Sequence, residues 1–81
     1  MKLLKMYATW CQPCKGLTKM METMELPLPV ENIDIDTNME LASKYKVRGV
    51  PTLILVDETG EVIRQKTGAV TKEELLKFVE T

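Results

Sequence analysis

At 81 residues the chain is long enough for one small domain, close to the lower size at which a core is self-sufficient. Its 44% hydrophobic and 28% charged content is that of a soluble globular chain and excludes extensive disorder. A formal net charge of −1 gives no electrostatic case for a nucleic-acid or membrane partner, and the apolar runs, such as Leu53 to Val56, are strand-sized.

In chain order, Leu3 to Tyr7 is apolar on both faces and reads as a short strand covered on both sides. Lys5 interrupts this start too early for a signal-peptide core, so the expectation is a cytoplasmic protein. Thr9 to Pro13 is a loop entering a helix, and Pro13 suits the first turn, where its missing N–H costs nothing. The spacing of Cys14, Leu17, Met20, Met21 and Met24 carries that helix to about Met24, with Gly16 as its weak point. Pro27 and Pro29 stop it.

Val30 to Asp36 alternates by two and reads as a second strand. Asn38 to Lys46 predicts a short helix, with Leu41, Ala42 and Tyr45 inward and Thr37 or Asn38 as its cap. Pro51 opens a third strand, Thr52 to Val56; Asp57 to Gly60 is a turn, and Glu61 to Thr67 returns as an antiparallel fourth strand. After the connector Gly68-Ala69-Val70, Thr71 and Glu74 have capping-box spacing, and Leu75, Leu76, Phe78 and Val79 form the apolar face of a last helix. The order βαβαββα predicts an α/β fold: one domain over 1–81 with a four-stranded mixed sheet, three helices on its two faces, and a parallel, right-handed first βαβ unit.

The chain has two cysteines and no histidine. That removes the usual acid/base near neutral pH and the commonest nitrogen ligand for metals, leaving thiols, carboxylates, amines and backbone dipoles. A secreted scaffold of this length would carry more cysteines. Cys11-Gln12-Pro13-Cys14 follows a strand and opens a helix, the context in which C-x-x-C reads as a redox motif. This spacing lets two sulfurs meet without moving the backbone. Near the helix N-terminus, free N–H groups and the helix dipole favour a thiolate at Cys11, the form that attacks a disulfide. Cys14, one turn inside, would be shielded until a mixed disulfide forms and would then resolve it.

Trp10-Cys11-Gln12-Pro13-Cys14-Lys15 resembles the active-site segment of the thioredoxin family, with Gln12 in place of the usual Gly. Val47-Arg48-Gly49-Val50-Pro51-Thr52 resembles that family's Gly-Ile/Val-Pro-Thr segment, and Gly68-Ala69 with the helix that follows resembles its C-terminal part. The resemblance runs from about Leu3 to Val79 and implies a thioredoxin-like fold and a protein-disulfide oxidoreductase. It implies a cis Pro51 that sets Val50 beside the cysteines with backbone groups free for a substrate strand, and an apolar groove completed by Trp10, Gly68 and Ala69. Gln12, Pro13 and Lys5 would support the site.

The resemblance further implies no bound cofactor beyond the redox disulfide, a flavin-dependent thioredoxin reductase drawing on NADPH to recharge the pair, and disulfide-containing substrates such as ribonucleotide reductase. The compact start, directly at the active-site strand, is glutaredoxin-like, so a glutathione-dependent reductase is the second reading. A non-catalytic subunit that holds a partner in the groove is the third. A monomer is expected, with an exposed second-strand edge as the route to a dimer.

The sequence departs from the family at three places. Lys5 stands where a buried acid is usual, Asn32 where its companion lysine is usual, and Lys19 where a helix-kinking proline is usual. Lys5 either favours the thiolate electrostatically, making the protein more oxidising than typical thioredoxins, or snorkels to solvent. Simpler readings stand beside the others. The cysteines alone would be half a zinc site, completed only in a dimer, or an inert disulfide. Trp10 reads as site lining or core, Pro51 as cis or as an ordinary strand-start proline, and Met20, Met21 and Met24 as core filler or, second, as a partner-binding surface. Glu31, Asp34 and Asp36 read as a solvated strand end, not a metal site, and Gly60 and Gly68 as turn residues.

Overall fold

The computed structural model describes residues 1–80. Four strands, β1 (Lys2–Tyr7), β2 (Val30–Asp34), β3 (Thr52–Val56) and β4 (Val62–Thr67), form one sheet in the order β2-β1-β3-β4. Three helices, α1 (Gln12–Glu22), α2 (Met39–Lys44) and α3 (Lys72–Phe78), complete it. β1 runs parallel to β2 and antiparallel to β3, which pairs antiparallel with β4. This is the expected βαβαββα mixed sheet.

Strand alternation sorts the core into two layers. Leu3 on β1 and Leu53 and Leu55 on β3 pack against Leu17 of α1 and against Leu75 and Phe78 of α3. Leu4 and Met6, with Ile54 and Val56, pack on the opposite face against Leu41 and Tyr45 of α2 and its C-cap. All five residues of β3 are buried, as a strand covered on both faces requires. β4 is exposed along its whole length, and a bulge at Ile63 shifts its register, since Leu55 faces Arg64 while Val56 faces Val62.

Several expected boundaries differ. α1 starts at Gln12, with Cys11 as its N-cap, and ends at Glu22, not Met24. β2 stops at Asp34, although the Ile35 N–H still donates to the Tyr7 carbonyl at 2.9 Å. α2 is shorter than expected: Asn38 is its N-cap residue, but its side chain makes no capping bond and donates back to the Asp34 carbonyl at 3.1 Å. α3 has the expected capping box, with Thr71 and Glu74 each bonded to the other's backbone N–H. Leu76, expected inward, is 43% exposed, because Leu75 and Phe78 already fill the face toward the sheet.

Candidate active site

The parallel strands β1 and β2 end on the same side of the sheet, and the chain leaves β1 there through Ala8, Thr9 and Trp10. The Cys11 N–H donates to the Ala8 carbonyl at 3.2 Å, folding the chain back into α1. Cys11 adopts the extended backbone of an N-cap, and its sulfur accepts the Cys14 N–H at 3.1 Å. Sulfur thus does what a Ser or Asp oxygen does at most helix starts: it meets one of the N–H groups that lack a partner within the helix. Pro13 contributes no N–H, and the first turn of α1 holds no acidic side chain. The positive end of the helix dipole is therefore aimed at Cys11 without local neutralisation.

Cys11 and Cys14 form a disulfide, with their Cα atoms 5.3 Å apart. With Ala8 they form a small buried cluster packed by Tyr7, Ile35 and Val50. Both cysteines are almost fully covered, at 4% and 3% exposure, so burial does not distinguish the attacking from the resolving residue. Helix position does: the Cys14 N–H serves the Cys11 sulfur, and no reverse bond is made. An open cleft of about 460 Å³ adjoins Cys14, lined also by Tyr7, Ala8, Thr18 and Glu22.

The Val50–Pro51 peptide is cis. The Val50 carbonyl oxygen lies 3.6 Å from Cys11 Sγ, and among the described residues it has no backbone hydrogen-bond partner. The Pro51 carbonyl accepts the Gly68 N–H at 2.8 Å, tying the β4–α3 connector to this segment. Gly68 has φ +102°, which only glycine adopts easily, and Ala69 beside it is exposed. Trp10 is not a core residue: it is 65% exposed, and its indole N–H donates to Asp36 Oδ2 at 3.0 Å. Gln12 and Pro13 are exposed beside it on the first turn.

Lys5 does not snorkel to solvent. It is 4% exposed, on the sheet face that carries α1, and its Nζ donates to Thr18 Oγ1 at 2.7 Å. Burial lowers the Lys5 pKa, and the negative charge of Glu22 opposes part of that shift. Thr18 was not singled out in the sequence, and Asp36 was read only as part of a solvated strand end, not as a partner of Trp10. Thr18 was detectable, since four residues after Cys14 it must share a helix face with it. Asp36 was not, because only the fold brings the β2–α2 loop to Trp10.

A helix-capping cysteine pair beside a cis-proline segment, on a mixed sheet of this order, defines a thiol–disulfide oxidoreductase. The thioredoxin family model matches residues 1–81. Thioredoxin of Chlamydia trachomatis is 35% identical over 80 residues, covering 95% of this chain and 78% of its own length. Thioredoxin of Bacillus subtilis is 36% identical over 81 residues, covering 95% and 77%. Among solved structures, a mutant thioredoxin from Halobacterium salinarum superposes with a TM-score of 0.88 at 39% identity, covering 96% of this chain and 70% of the other. The chain belongs to the thioredoxin family, and it spans about three quarters of the length of these relatives.

Proposed function

We propose that residues 1–81 act as one domain that reduces disulfides in proteins, with Cys11 as nucleophile and Cys14 as resolving thiol. The Cys14 N–H bond to the Cys11 sulfur carries this reading, because it favours Cys11 as the thiolate that attacks. Attack on a substrate disulfide joins Cys11 to one substrate sulfur and releases the other as a thiolate. Cys14 then gives up its proton and attacks Cys11, forming the intramolecular disulfide and releasing the second substrate thiolate.

Val50 and Pro51 supply the backbone against which an extended substrate segment lies, and Trp10, Gly68 and Ala69 flank it. Gln12 and Pro13 shape the turn between the cysteines. The disulfide is the only redox group required. A thioredoxin reductase, carrying electrons from NADPH through its flavin, recharges the pair, and glutathione is the competing reductant. Ribonucleotide reductase is one candidate among the substrate proteins, and the working form is a cytoplasmic monomer.

Cysteine variants test the assignment with insulin as the disulfide substrate. Cys11→Ser is expected to abolish insulin reduction. Cys14→Ser is expected to accumulate a mixed disulfide at Cys11, seen by intact mass. A Cys11→Ser protein that still reduces insulin, or adducts that form on Cys14 instead, would reverse or remove the roles.

A further inference from the structure

The Lys5 ammonium is buried against α1 with a hydroxyl as its hydrogen-bond partner. Among the described residues no carboxylate lies within ion-pair distance of it; the lysine and N-terminal ion pairs are those of Met1, Lys2 and Lys66. A buried cation without a partner is a cost that proteins seldom leave standing. Its hydrogen-bond partner, Thr18, lies four residues beyond Cys14 on the same helix face. One cleft is lined by Cys14, Thr18 and Tyr7, and a neighbouring one by Lys5, Thr18, Tyr7 and Asn32. The two share Thr18 and Tyr7, so the unpaired charge lies one helical turn beneath the redox pair.

We propose that Lys5 is a positioning residue whose counter-ion is made by the reaction: unpartnered while Cys11 and Cys14 are joined, its ammonium is neutralised by the thiolate that forms on reduction. Two glutathione thiols supply two electrons and two protons and become glutathione disulfide. The Cys11–Cys14 bond breaks, one proton stays on a cysteine as a thiol, the other goes to solvent, and one thiolate remains. Lys5 keeps its own proton throughout.

The other ionisable side chains on the Cys14 cleft are Tyr7 from β1 and Lys15, Lys19 and Glu22 from α1. β2 and β3 present Asn32 and Leu53 opposite Lys5, neither of which ionises. Lys5 is thus the buried cation of this layer; Lys15 and Lys19 are exposed, and Glu22, exposed on a cleft it shares with Lys5, acts on that charge from a distance without forming an ion pair. The charge favours the reduced form and makes the protein a weaker reductant than the same fold without it.

This inference rests on the dithiol-exchange reading, but its test needs no substrate protein. The reduction potential is titrated in glutathione buffer for wild type, Lys5→Met, Lys5→Gln and Lys5→Arg. Removing the charge is expected to lower the equilibrium constant for reduction by about tenfold, which is a potential about 30 mV more negative. The lower thiol pKa, followed by thiolate absorbance, should rise in parallel. Lys5→Arg should retain wild-type values. Lys5→Gln keeps a donor for Thr18 without the charge, and decides the matter if Lys5→Met does not fold. Equal potentials in wild type and Lys5→Gln would overturn the inference. A wild type inactive on insulin would count against the proposed function alone, since the potentials would still decide the role of Lys5.

Discussion

Two side chains, Cys11 and Lys5, do work at this site that their residue types rarely do. Cys11 caps a helix with sulfur, so the contact that begins α1 also prepares the nucleophile. Lys5 occupies a core position, where its charge lowers stability in the oxidised protein. Its folded pKa lies below the unfolded value of 10.5, so the unfolded chain holds that proton more tightly. The cost is complete below the folded pKa and fades as pH rises from there towards 10.5. Oxidised Lys5→Met should therefore be about 1 kcal/mol more stable than oxidised wild type at pH 7. In urea denaturation that gap should narrow as pH approaches 10.5. A gap constant with pH would mean that packing, not charge, separates the two proteins.

Among the elements, α1 carries the chemistry on a helix with a built-in weakness. Gly16 is exposed in its interior, and a Cβ there would meet nothing within 4 Å. Gly16→Ala should stabilise the protein by about 1 kcal/mol, because it removes unfolded-chain entropy without a clash. Thermal unfolding would show the gain, and insulin reduction should stay at the wild-type rate. A loss of activity would show that flexibility in α1 is used in turnover. Local sequence rules served unevenly here. Thr71 and Glu74 satisfy each other within one turn, so the α3 cap was legible from spacing alone. Asn38 has an equally good capping residue type, but its amide donates to the Asp34 carbonyl, which also accepts from Thr37 in the turn where β2 ends. Competition between two backbone partners is not visible in a residue list.

At the scale of the whole molecule, a small chain closes its last helix with its outermost strand. Arg64 on exposed β4 donates from Nη1 to the carbonyls of Phe78 at 3.0 Å and Glu80 at 2.9 Å, groups that the end of α3 leaves without partners. Arg64→Met should cost about 1 kcal/mol in urea denaturation and speed amide hydrogen exchange in the last turn of α3. Unchanged exchange there would show that water replaces the arginine at no cost. The bulge at Ile63 belongs to the same scale. It turns Val62 and Ile63 both outward, at 45% and 41% exposure, and interrupts the regular edge that strand alternation alone would predict.

The sequence by itself determined the order of elements, the two-faced burial of β1, and the cysteine pair with its helix. Each of these rests on neighbours within a few residues, where periodicity, proline position and C-x-x-C spacing act directly. Tertiary structure alone decided the rest. It buried Lys5 against Thr18 and held exposed Trp10 to Asp36, whereas the approach of the Val50 carbonyl to Cys11 across 39 residues of chain was implied by the family resemblance and not by local pattern. Whether a lysine on a strand reaches water or a helix depends on what packs above it, and that is set by the sheet and α1 together, not by its neighbours in sequence.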